Sequence, residues 1–101
     1  MIVAVLTADL LFPGARSLKD KRSLLRGALD RVRAAFPVSA AEVGHHDLLQ
    51  RGSVGVALVT TDPVMARSML ERIAEGFDRG GEVEVASHRV ELIPFGEEVA
   101  R

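Results

Sequence analysis

Seven residues around one helix start, Arg16, Ser17, Lys19, Lys21, Arg22 and, at helical spacing beyond them, Arg26 and Arg33, concentrate the charge-recognition chemistry of this chain. Ser17 has the type and position of an N-cap, and Asp20, three residues on, those of its capping-box partner. Lys19, Lys21 and Arg22 then stand against the positive end of the helix macrodipole, where each is unfavourable by about 0.3–1 kcal/mol. A local rule broken without visible compensation marks a candidate site. Helix N-terminal N–H groups ringed by cations suit a phosphate or carboxylate. Lys19, Arg22, Arg26 and Arg33, interrupted by Asp30, also form a stripe able to follow a phosphate backbone. The same residues fit a solvated helix face whose cations pair with Asp20, Asp30 or an acidic partner subunit.

Glu42, His45, His46, Asp47, Gln50 and Arg51 form a second polar group. Adjacent histidines on an extended chain point apart, and neither H-x-x-H nor HExxH spacing is present, so no metal site is expected. Asp47 and Arg51, four apart, would pair across a helical turn, and Gln50 would satisfy backbone groups. That makes a structural or partner-interface loop the better expectation.

Covalent chemistry finds little support. The chain has no cysteine, which removes disulfides, thiolate metal sites and thiol nucleophiles. Its serines sit in no nucleophile elbow, and neither a P-loop nor G-x-G-x-x-G is present. The glycine-rich arginine loop of acylphosphatases has no counterpart in Phe12-Pro13-Gly14-Ala15-Arg16. No catalytic residue and no cofactor are assigned, and a non-enzyme is expected.

The elements that must position these residues are well signalled. Met1 to Phe12 is apolar, broken only by Thr7 and Asp9, and reads as a central strand ending at Pro13-Gly14. Leu18, Leu25, Leu29, Val32 and Phe36 trace one face of a helix that Pro37 stops. Val38 to Gly44 and Ser53 to Thr61 read as strands joined by a long loop. Asp62-Pro63 starts a second helix whose buried face is expected at Val64, Met65, Met69, Ile73 and Phe77, ending by Gly80-Gly81. The last strand, Glu82 to about Ile93, changes face between Val83/Val85 and Val90/Leu92, which requires a bulge near Ala86 to Arg89. The acidic tail from Pro94 is expected to be loose.

The order βαββαβ predicts an α+β, ferredoxin-like domain over 1–101, with a core at about 1–93: a four-stranded antiparallel sheet, two helices on one face, the first and third strands central. Both parities of the first strand carry apolar residues. The helix-free face is therefore expected to meet another protein surface, most simply a second copy in a homo-oligomer.

With 48% hydrophobic and 27% charged residues, the 101-residue chain can bury one core and keep a charged surface. No apolar run reaches membrane-span length, and the first twelve residues lack a basic n-region, so a cytoplasmic location without membrane association is expected. The net charge of −1 conceals a dipolar distribution. Residues 1–61 carry eight Lys/Arg against five Asp/Glu, and residues 62–101 carry five against nine.

Pro13-Gly14, the run Ser17-Leu18-Lys19-Asp20-Lys21-Arg22, and Ala41-Glu42-Val43 followed by Asp47, Gln50 and Arg51 together resemble the YlxP-like family of small bacterial proteins, a domain of unknown function. The resemblance spans nearly the whole chain and implies the ferredoxin-like fold. Leu49 departs from it, because the family often places an aromatic near there. Family genes often neighbour those for translation initiation factor two and ribosome-binding factor A, which implies by association a setting near ribosomes or RNA. Three functions are compatible: a binding protein whose helix-1 cations contact ribosomal RNA or another polyanion, a small-molecule sensor resembling ACT domains, and a protein–protein adaptor. RNA-recognition domains of similar topology stack bases on aromatics of their central strands. This chain has no Tyr or Trp, so RNA contact here should be directed at phosphate and shape.

Overall fold

The computed structural model describes residues 1–96 as β1 (Ile2–Leu11), α1 (Leu18–Ala35), β2 (Ser39–Gly44), β3 (Arg51–Thr60), α2 (Pro63–Gly76) and β4 (Glu84–Pro94). All sheet pairings are antiparallel and the strand order is β2-β3-β1-β4, with the first and third strands central as expected. The strand pleat divides β1 cleanly. Ala4, Leu6, Ala8 and Leu10 are buried beneath the helices, joined by Val54, Val56 and Leu58 of β3 and by Phe12 just beyond β1. Removing each large aliphatic side chain from water contributes about 1.5–3 kcal/mol.

The opposite residues of β1, Val3, Val5, Thr7, Asp9 and Leu11, lie on the helix-free face. Their register partners there are Val59, Ala57, Gly55, Ser53 and Arg51 of β3. This face is mixed rather than uniformly apolar. One end is hydrophobic, with Val59 65% and Ile93 40% exposed. Val43, at a register shift in β2, is 57% exposed and leans over Gly55, where a Cβ would meet its Cγ1 at 3.2 Å.

The bulge in the last strand falls where the change of face requires it. Asp9 pairs with Ser87 while Leu10 pairs with Val85, leaving Ala86 as the extra residue. Two expectations need correction. Val64 is 79% and Met65 38% exposed, and the buried face of α2 runs instead through Ala66, Met69, Leu70, Ile73 and Ala74. Large side chains in the first turn suggested the wrong face; small alanines mark the true one, because they allow the helix to approach the sheet. Pro94 belongs to β4, and Phe95 N–H donates to Met1 O at 2.9 Å, so the ordered core extends past 93. The rest of the acidic tail, 97–101, lies outside the described residues. No helix of the described residues is long and apolar enough to cross a membrane.

Candidate functional site

The start of α1 is built as its sequence requires. Ser17 Oγ accepts the Asp20 N–H at 3.1 Å, which satisfies one of the helix's orphan donors. The reciprocal bond is displaced by one residue, with Asp20 Oδ2 accepting from Arg16 N–H at 3.2 Å rather than from Ser17. The preceding loop is fixed from outside: Phe12 N–H donates to Gln50 O at 2.9 Å, and Gln50 Nε2 donates to Pro13 O and Ala15 O at 3.3 and 3.4 Å. Gln50 therefore satisfies backbone groups, those of the β1–α1 loop.

Lys21 leaves the set of exposed cations. Its side chain is 1% exposed, and its ammonium donates to His45 O at 2.6 Å and Leu48 O at 2.8 Å, with Glu42 Oε2 at 3.4 Å. Two carbonyls accept its hydrogen bonds and a carboxylate supplies the counter-charge without hydrogen bonding, Glu42 Oε2 being buried with no hydrogen-bond partner among the described residues, and this combination lets the ammonium be buried at tolerable cost. The dipole conflict at this position is thereby resolved inside the fold. Gly52 lies beside this stem and leaves room for Phe12: a Cβ there would crowd Phe12 Cε2 at 3.2 Å and make ordinary contact with Lys21 Cε at 3.6 Å.

Glu42 is shared, its Oε1 lying 2.9 Å from His46 Nδ1. Glu42 is thus the partner of both His46 and Lys21. His45 contributes its carbonyl and adopts φ 60°, a left-handed conformation uncommon outside glycine. Asp47 and Arg51 are not paired as the spacing suggested, because 45–50 forms turns rather than a helical turn and Arg51 begins β3. Lys21 and Gln50, not an Asp47–Arg51 pair, hold this loop.

Arg33 is likewise engaged. Its Nη2 donates to Ala40 O at 2.6 Å and its Nη1 to Asp30 at 3.2 Å. Lys21 and Arg33 thus bind the edge strand β2 and the loop after it to α1 at two separate points. Arg16, Lys19, Arg22 and Arg26 remain, all exposed and none with an ion-pair partner among the described residues. Lys19, Arg22 and Arg26 share the outer face of α1, and Arg16 adjoins its first turn.

Asp9, the single charge in β1, anchors a polar cluster on the helix-free face. Its Oδ1 accepts from Ser53 Oγ at 2.6 Å and its Oδ2 from Ser87 Oγ at 3.2 Å. The Ser53 hydrogen bond, opposed by partial desolvation and aided by Ser87, Arg51 and His45, holds its carboxyl below the usual 3.8. Sequence singles out Asp9 but not its partners, which only the register supplies. His88 joins β4 to α2 through Glu71 Oε2 at 2.9 Å. Among the described residues no three His, Asp or Glu side chains converge as a metal-ligand set.

A family model described as "Protein of unknown function (DUF503)" matches residues 3–90. The uncharacterized protein YlxP of Bacillus subtilis (strain 168) is 39% identical over 77 residues, 76% of this chain and 84% of that protein. Neither description carries an activity. Among solved structures, a de novo designed protein with ferredoxin fold, LFR1 1, aligns at TM-score 0.57 and 11% identity over 96% of this chain and 90% of its own. Another, the de novo designed protein Foldit4, aligns at TM-score 0.56 and 16% identity over 93% and 100%. At such identities the likeness is one of fold alone.

Proposed function

We propose that this chain, which belongs to the DUF503 family of proteins of unknown function, is a non-catalytic binding protein whose Arg16, Lys19, Arg22 and Arg26 contact the phosphate backbone of ribosomal RNA or another structured RNA. The observation that carries the reading is that these four cations are exposed and without ion-pair partners among the described residues, while Lys21 and Arg33 beside them are engaged. Holding unpaired like charges together on one helix costs stability, and a polyanion offsets that cost. The central strands carry no aromatic on the helix-free face, so binding is directed at phosphate and shape rather than at stacked bases. The reading carries a cytoplasmic location with it.

Four phosphate contacts give a salt slope of about −3 in log K against log salt. The test measures retention of RNA fragments by the wild type and by Lys19→Glu/Arg22→Glu/Arg26→Glu across a salt series. Loss of binding in the triple variant supports the reading, and unchanged retention overturns it.

A second reading concerns assembly. The exposed valines Val43 and Val59, with Ile93, favour a homo-oligomer formed through the helix-free sheet face. That surface lies opposite the helices and leaves α1 free to engage RNA.

A further inference from the structure

The exposed cations of α1 form a row of fixed geometry. Lys19, Arg22 and Arg26 follow one another at intervals of three and four residues on an unbroken 18-residue helix, so Lys19 and Arg26 stand about 10.5 Å apart along its axis. Arg16 extends the row at the capped end, where its N–H donates to Asp20. The helix is itself held at two points, by Lys21 on the His45 and Leu48 carbonyls and by Arg33 on the Ala40 carbonyl. Beyond Arg26 comes Asp30, whose 65% exposed side chain would repel a phosphate chain continuing along the helix. The row therefore suits a backbone that crosses α1 rather than one that follows it.

Single strands are held chiefly by stacking their bases on exposed aromatic rings. The row has no such ring beside it. Phe12 and Phe77 are buried, and Phe36 is half-buried with the Arg72 guanidinium 5.8 Å over its ring. Phe95 is 59% exposed, but it bonds to Met1, at the end of β1 remote from the start of α1. A duplex presents its phosphates at fixed separations, as the row presents its cations, so neither side loses much freedom on contact. It also carries the denser counterion atmosphere, and each phosphate neutralised releases more of it than on a single strand.

We propose that the outer face of α1 binds double-stranded RNA in preference to single strands, the helix crossing one backbone of the duplex. This rests on the RNA reading and names the class of RNA that it takes.

The test measures retention of a blunt RNA duplex and of oligouridylate with the same number of phosphates by the full chain at one salt concentration. Wild type should hold the duplex about tenfold more tightly. Arg26→Gln/Ala34→Arg keeps the net charge and moves one cation past Asp30, to an exposed position of the same helix. Arginine and glutamine are both good helix formers, so the helix should be preserved. The variant should lose most of the duplex preference, its affinity for oligouridylate staying within about twofold of wild type. Equal wild-type affinity for the two RNAs, or a duplex preference retained by the variant, would overturn the proposal and leave the RNA reading in place. Failure of wild type to bind either RNA would overturn both.

Discussion

The ammonium of Lys21 lies 3.4 Å from Glu42 Oε2, joining the first helix to the edge strand at a point where the lysine is 1% and the glutamate 20% exposed. Removing the lysine leaves the His45 and Leu48 carbonyls without their donor and a largely buried carboxylate without its counter-charge. Lys21→Ala should therefore cost about 3–5 kcal/mol. Glu42→Gln keeps both carbonyl bonds and should cost less, about 1–2 kcal/mol. Urea unfolding of the two variants checks the order, and a Glu42→Gln loss as large as that of Lys21→Ala would show that the ion pair, not the carbonyl bonds, dominates.

Asp9 gives the protein an acid-sensitive contact. Its carboxyl titrates below 3.8 in the folded state, so the contact contributes stability that is fully present above the unfolded value and lost as pH falls through the lower, folded one. The stability difference between wild type and Asp9→Asn should be flat from pH 7 to about 5 and change only at more acidic pH. Guanidinium unfolding at a series of pH values measures it. A difference that changes mainly near neutrality would remove Asp9 as its source.

Gly52 is required by packing rather than by backbone conformation. A Cβ 3.2 Å from the fully buried Phe12 ring requires that ring to give by a few tenths of an ångström, whereas 3.6 Å from the Lys21 stem is ordinary contact. Gly52→Ala should destabilise by about 1–3 kcal/mol, as overpacking does in other cores. Retention of wild-type stability would mean that the Phe12 ring yields freely.

The helix-free face should govern association. Val43→Glu/Val59→Glu places charge at positions that are 57% and 65% exposed in the single chain, so folding should be preserved while any sheet-to-sheet dimer is lost. Sedimentation equilibrium of wild type at micromolar concentration should give a mass above that of one chain, and the variant the mass of one. A monomeric wild type would end the reading.

The fold was readable because its signals are local: the Ser17 and Asp62 caps, the stop at Pro37, and the parity change that placed the bulge at Ala86; the end of α2 was misplaced, since the helix stops at Gly76, before Gly80-Gly81. The site was readable only in part, because lysine and arginine report charge and not direction. Lys21 falls in the same charged run as Lys19 and Arg22, yet helical phase turns it toward Phe12 while its neighbours face water. Leu18, Leu25 and Val32 already mark that inward face, so the signal was present. What sequence withholds is the acceptor set, since the His45 and Leu48 carbonyls come from a loop about 25 residues away that must first fold back. The failure at Val64 and Met65 has the same origin: in a first turn, hydrophobicity does not settle orientation.

The extra residue at Ala86 also bears on what the molecule avoids. β4 is an 11-residue edge strand, long enough to template the addition of foreign strands and seed aggregation. The bulge breaks the even spacing of its outward N–H and C=O groups and increases the local twist, and Pro94 contributes no donor at the far end. Open-ended growth along the sheet is thereby discouraged, and the proposed self-association would be left to the sheet's face, where a twofold contact would close on itself.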